Sequence, residues 1–402
     1  MSANNEAPQK DQNHDEEDDL VPVEGAKCEI EFENLEEEEE EEAFIHDDVS
    51  TESFTEHTDG VYSIVFCKKP LKDGTIVFAS GGGDDKAILY HLVNDSEAKV
   101  FHLEGHTDTI GSLSFSSDGT LLVTGGLEGT CIVWDTTDGH EISRLTGPTD
   151  SVEWVSWHPS LPAVLAGDRA GMIWMYSAKI GKCVKVYSSH NGPVTCGGFR
   201  ADGSEIWSAG EDQTLRFWAP KSGQATAIIH GSQFHHYPIT TGCNNRNGAL
   251  IATGDINGTV HLTRWDQSKV VGSLLNSENS IEAIQFSPDD QYIAVASMGG
   301  TATIWSPIDM KMRHALQHPE GVTAIAWHPT KPYLVTACAD FGIRVWDVRN
   351  GKMISQMYGH TKFITAIDVH LNGDILFIVS SSEDKTVKLW KFDEKNPILI
   401  ED

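Results

Sequence analysis

Residues 359–390 read GHTKFITAIDVHLNGDILFIVSSSEDKTVKLW, and this stretch decides the fold. Gly359-His360 leads into a β-branched run over 363–369, a turn at Asn372-Gly373 and a second run over 375–380. The tight turn Glu383-Asp384-Lys385 then opens a third run that closes on Trp390. Runs this short, rich in Val, Ile and aromatics and bounded by Asn, Gly and Asp, are strands joined by hairpins. The closing position recurs upstream at Tyr90, Trp134, Tyr176, Trp218, Thr263, Trp305 and Trp346, with successive spacings of 44, 42, 42, 45, 42, 41 and 44 up to Trp390. A period of about 40 to 45 residues with Gly-His early and an aromatic at the end describes the four-stranded WD40 propeller blade.

Eight such units predict an all-β, monomeric, eight-bladed propeller over residues 49–402. A ring needs its last sheet completed by the other terminus, because an open edge invites aggregation. Residues 50–56 alternate as a strand does and are expected to supply that closure; 397–400 are the competing segment.

Asp384 lies six residues before Trp390, and the same offset falls on Asp84, Asp212 and Asp340, with Glu128 and Asn257 as polar replacements. Such side chains can tie the turn to the histidine of the same blade. The expected structural networks are His190, Ser208, Asp212 and Trp218; His318, Thr336, Asp340 and Trp346; and His360, Ser380, Asp384 and Trp390. Repetition around a ring argues against a catalytic triad, which needs one nucleophile beside one oxyanion site. Three units depart from the rule: Gly147-Pro148 and Ala170 in the third, Gly299 in the sixth, and no terminal aromatic at Thr263 in the fifth.

The 402-residue chain carries 60 acids and 29 bases, net -31, of which residues 1–48 hold 20 acids and 2 bases, net -18, leaving -13 for the rest. A leader with so few apolar residues cannot offset its chain entropy and is expected to be disordered. The charge argues against sequence-independent binding to nucleic acid or an anionic membrane and favours a basic partner. Seven scattered cysteines with no C-x-x-C pair, and no apolar run of spanning length, lead us to expect a reduced, cytoplasmic protein.

No phosphate loop is present, since Gly81-Gly82-Gly83 runs into Asp84-Asp85. His235 and His236 lack ligand partners at metal spacing. We therefore expect no enzyme, no cofactor and no metal. A binding surface remains. The Gly-His loops and the acid-bearing turns emerge on one face, and their acids are Asp59, Asp108, Asp150, Glu278 and Glu320, with Asp85, Asp168, Glu211, Asp255 and Glu383. Glu153 and Glu282 share one register at the start of innermost strands and are expected to look into the channel. Tyr62 and Trp154 are placed to stack on guanidinium groups. Asp59 and Asp108 have a plainer role open to them, tying their own loops.

The string GGGDDKA over 81–87, and within 152–175 the Glu153-Trp154 pair, Trp157-His158-Pro159, Leu165-Ala166-Gly167 and Trp174-Met175, resemble the angio-associated migratory cell protein family over about residues 50–390. The resemblance implies an eight-bladed propeller whose fungal relatives are dedicated chaperones. They hold the basic amino-terminal segment of a newly made large-subunit ribosomal protein on the acidic top face until it joins the pre-60S particle. Animal relatives are associated with cell migration instead. Tyr90 and Tyr176 depart from the family's usual Trp, and the segment around 276–280 is shorter. Two readings follow: an escort chaperone for a basic ribosomal protein, or a general WD40 scaffold or signalling adaptor linked to cell migration.

Overall fold

The computed structural model describes residues 47–94, 97–275 and 278–398. The expected disordered leader lies outside the described residues except for Asp47 and Asp48.

Eight antiparallel four-stranded sheets follow one another along the chain. Blades 1 to 7 begin at their innermost strands Val61–Phe66, Ile110–Phe115, Val152–Trp157, Cys196–Phe199, Ile239–Asn244, Ile281–Phe286 and Val322–Trp327. Blade 8 takes its three inner strands from Ile364–Asn372, Ile375–Ser382 and Val387–Phe392, and its outer strand from Glu52–Phe54. Each innermost strand packs against that of the next blade, and the eighth returns to the first. The ring is closed.

A blade with two apolar faces must bury both, and the core divides accordingly. Eight apolar clusters form among the described residues, each straddling one seam between neighbouring blades. At the seam between blades 3 and 4, Leu165, Ile173 and Tyr187 meet Val194, Ile206 and Trp218. Neighbour-to-neighbour packing of this kind stabilises repeat folds. It also lets irregular blades lean on their neighbours: Thr263 leaves an aromatic position empty in blade 5, and Trp265, two residues on, packs on Phe217 of blade 4 with ring centroids 5.3 Å apart.

Closure comes from the amino-terminal side, with Glu52 opposite Leu389 and Phe54 opposite Val387. The competing carboxy-terminal segment goes elsewhere: the Ile398 carbonyl accepts from Gln356 N and Ser355 Oγ at the outer strand of blade 7. Closure also reaches further upstream than 50–56. Val49 N donates to Tyr358 O, and Asp48 accepts from the buried Lys388 ammonium at 2.5 Å. Deleting residues 1–46 is therefore expected to leave thermal melting unchanged, whereas deleting 1–48 leaves Lys388 with Ser53 Oγ as its one side-chain partner among the described residues. Asp48 is half-exposed, so the expected loss is modest, about 1 to 2 kcal/mol in urea denaturation. Equal midpoints for the two truncations would remove Asp48 from the closure.

Candidate functional site: the channel mouth

One backbone bond recurs in every blade and defines a face. The N–H of the residue that opens each turn between the second and third strands donates to a carbonyl just ahead of the innermost strand. Examples are Leu127 to Thr109, Arg169 to Ser151, Ile256 to Pro238 and Glu383 to Phe363, all at 2.9 to 3.0 Å. Both loop families thus lie together around the channel mouth.

Side-chain networks anchor these turns from beneath. In blade 4, His190 Nδ1 meets Asp212 at 3.0 Å and Nε2 meets Ser208 Oγ at 2.7 Å, while Trp218 Nε1 donates to the same hydroxyl at 2.9 Å. Blade 8 repeats this with His360, Asp384, Ser380 and Trp390. Blades 1 and 2 have related sets, His57–Asp84–Ser80 and His106–Glu128–Thr124. Blade 7 differs from expectation. His318 and Trp346 both reach Thr336 Oγ1, but Asp340 pairs with Arg344, and His318 Nδ1 donates to the Leu316 carbonyl instead. Burial, with Arg344 nearby, pushes His318 down from 6.5 to about 4.

This has a consequence for acid stability. The folded histidine releases its proton at a lower pH than the unfolded one, so the unfolded state binds more protons between 6.5 and about 4. Stability is lost as pH falls through that window, by at most ~3 kcal/mol for this group. Urea denaturation at about pH 7.5 and about pH 5 is expected to show the fall, and His318→Gln to make it shallower by this group's share, since His261 and His328 are pushed down to about 4 as well.

The acids sort into two groups, and two of the expected binding residues change role. Asp168 is wholly buried: its carboxylate accepts from Met172 N at 2.7 Å and Trp174 Nε1 at 2.8 Å. Asp255, 1% exposed, accepts from His235 Nδ1 at 2.7 Å and from Asn257 and Thr259 N–H groups. Neither faces a partner. Both stand eight residues before the closing position, where blades 1, 2 and 4 have Gly82, Gly126 and Gly210. A Cβ at Gly82 would sit 2.7 Å from Asp84 Oδ1, so in blade 1 the later acid takes the space beneath the turn that Asp168 and Asp255 fill from the earlier position in blades 3 and 5. His235, dismissed as a metal ligand, completes the blade 5 network through Thr253 Oγ1 at 2.9 Å. Trp154 also departs from expectation: it is 8% exposed, wedged against Gly167 and Gly197 between blades 3 and 4, and cannot stack on a ligand.

The remaining acids do reach solvent. Asp59, Asp108 and Asp150 are exposed, each with one oxygen accepting from the next residue's N–H. Glu211, Glu278, Glu282, Glu320 and Glu383 are exposed, and Asp85 is half-buried in its turn. Tyr62, 42% exposed, lies against Gly60 and Gly83 on the same face.

The innermost strands carry the most informative pattern. In blades 1, 2, 3, 5, 6, 7 and 8 a bulge follows the strand's first residue. The extra residue is threonine in blades 5, 7 and 8, and Thr195 precedes the strand equivalently in blade 4. These four hydroxyls cross the seam: Thr195, Thr240, Thr323 and Thr365 donate to the carbonyls of Ile239, Ile281, Ile364 and Val61 at 2.5 to 2.8 Å. Blades 1, 2, 3 and 6 place Tyr62, Gly111, Glu153 and Glu282 there. Burial raises the Glu153 pKa, opposed by Arg169 and reinforced by Glu211, Asp150 and Asp168. A cation arriving beside Glu153 would relieve both the lost hydration and the like-charge repulsion.

Three apolar residues also belong to this face: Leu127, Ile256 and Met298 are 37%, 51% and 40% exposed at the turns. Apolar residues in strand-like sequence read as core, so they were missed. Their place just after the second strand, where other blades have Arg169, Glu211 and Glu383, was the available signal.

Comparison with known proteins places this geometry. The WD domain, G-beta repeat model matches residues 97–135, 181–219, 268–306, 310–347 and 351–391. Angio-associated migratory cell protein from Pongo abelii is 31% identical over 341 residues, covering 81% of this chain and 77% of that protein. The chain belongs to that family. Human angio-associated migratory cell protein matches with the same identity and coverage, and an uncharacterized WD repeat-containing protein of Schizosaccharomyces pombe is 30% identical, covering 84% and 85%. Among solved structures, Saccharomyces cerevisiae Sqt1 superposes with a TM-score of 0.79 at 18% identity, covering 87% of this chain and all of that one. Chaetomium thermophilum Sqt1 bound to the N-terminus of the ribosomal protein L10 gives 0.76 at 20% identity, covering 86% and 100%. These similarities show the fold. In this angio-associated migratory cell protein family member, the units that the repeat model leaves unmatched include those ending at Tyr176 and Thr263, the two whose anchoring carboxylate has moved to Asp168 and Asp255.

Proposed function

We propose that this family member is a dedicated, non-enzymatic chaperone. As a monomer in the cytoplasm it holds the basic amino-terminal segment of a newly made large-subunit ribosomal protein across the channel mouth and escorts it to the pre-60S particle. The observation that carries this reading is the bulge position, where Glu153 and Glu282 stand in place of the seam-bonding threonines of blades 4, 5, 7 and 8. A carboxylate there makes no seam bond, so its use lies in what enters from above. Exposed Leu127, Ile256, Met298 and Tyr62 offer apolar surface to the methylene stems of Arg and Lys, while the surrounding acids take the charged heads. That Chaetomium thermophilum Sqt1 has been solved with the N-terminus of L10 supports the choice of client class.

The test is a pull-down from cell extract at low and moderate salt. One dominant ribosomal client, released as salt rises, is the expected outcome. A mixed, salt-tolerant set of partners would favour a general scaffold instead.

A further inference from the structure

Residues 169–201 contain five cations, Arg169, Lys179, Lys182, Lys185 and Arg200, and no carboxylate, in a chain with 60 acids and 29 bases. Folding gathers most of this charge away from the channel mouth, at the opposite ends of blades 3 and 4. There a groove of about 660 Å³ between the two blades is lined by Leu161, Met175, Val184 and Phe199 together with Lys185 and Lys221. Leu161 and Val184 are 58% and 55% exposed, and neighbouring Ile180 is 71% exposed. Lys185 Nζ reaches only the Ser222 carbonyl, at 3.4 Å, and among the described residues none of Lys179, Lys182, Lys185 and Lys221 has a carboxylate partner.

Unpaired lysines around exposed apolar side chains describe a surface complementary to an acidic, apolar segment. The backbone adds a third element. Lys182–Ser188 is the outer strand of blade 3 and, among the described residues, pairs only with Met172–Ser177, so its outer edge offers backbone groups for strand addition. We propose that this groove docks an extended acidic segment of a partner protein. Its apolar side chains seat between Leu161, Val184 and Met175, and its carboxylates reach Lys185 and Lys221. This does not depend on the channel-mouth reading, and the two sites would take oppositely charged ligands.

The experiment is a selection of displayed random peptides on the full chain, followed by affinity measurements on the enriched peptides. Peptides rich in Asp and Glu with interspersed apolar residues should be enriched. Their affinity should fall about tenfold or more in Leu161→Asp/Lys221→Glu and stay unchanged in Asp374→Asn, an exposed position on blade 8 across the ring. Leu161 and Lys221 are exposed, and thermal melting verifies that the groove variant folds. The proposal is overturned if no acidic peptides are enriched or if those enriched bind the groove variant equally well. It is also overturned if sedimentation shows a dimer that the variant abolishes, which would assign the groove to a second copy of the chain.

Discussion

Changing Glu153 and Glu282 together to lysine is expected to weaken binding of a basic ribosomal peptide by roughly 10²- to 10⁴-fold. In the proposed function each carboxylate takes one charge-assisted hydrogen bond, worth about 1.5 to 3 kcal/mol, so two of them set that range. Glu282 is exposed and Glu153 half-buried, so most of the effect should come from Glu153, where water competes less. The matched control is Asp266→Lys/Asp374→Lys, two exposed acids at the other end of the blades that bring the same change in net charge. A diffuse acidic field would respond to both pairs alike, whereas a site depends on where the charge stands. Calorimetric titration at fixed salt, with melting curves for both variants, separates these cases. Unchanged affinity in a normally folding Glu153/Glu282 variant would rule the channel mouth out as the client site.

The second large effect concerns stability rather than binding. Asp255→Ala is expected to cost about 3 to 5 kcal/mol, because it strips a buried carboxylate from His235 and from two turn N–H groups. Peptide affinity measured well below the unfolding transition should nevertheless be unaltered. The pairing of a large stability loss with intact binding is what distinguishes an anchor beneath the turn from a ligand contact above it. Reduced affinity without a lower urea midpoint would return Asp255 to the binding surface.

How much of this was legible in the sequence differs between fold and site. The ring was readable because spacing, hairpin residues and closing aromatics all agree, and because the alternation at 50–56 marks the closing strand. The shared bulge position of Glu153 and Glu282 was readable from their register. Asp168 and Asp255 escape a reading by spacing, because in most blades the anchoring acid lies six residues before the closing position and theirs lies eight before it. Glycine at the earlier position in blades 1, 2 and 4, and Ala170 and Asn257 at the later one in blades 3 and 5, already carried the exchange. Its meaning depends on the volume beneath the turn, which linear spacing does not encode. The apolar ring of Leu127, Ile256 and Met298 was hidden for a different reason: burial is a property of the assembled face, and an apolar residue beside a strand gives no sign of which side water occupies.

The seam threonines also set a direction for drift in this ring. Under the proposed function, recognition and robustness compete for one side chain at Glu153 and Glu282, since a threonine there could bond the Val194 or Val322 carbonyl of the next blade as its counterparts do. Selection for heat tolerance alone would push both positions toward threonine and dissolve the site while improving the scaffold. A descendant carrying threonine at this position in every blade would be a sturdier propeller without the carboxylates that the proposed function requires.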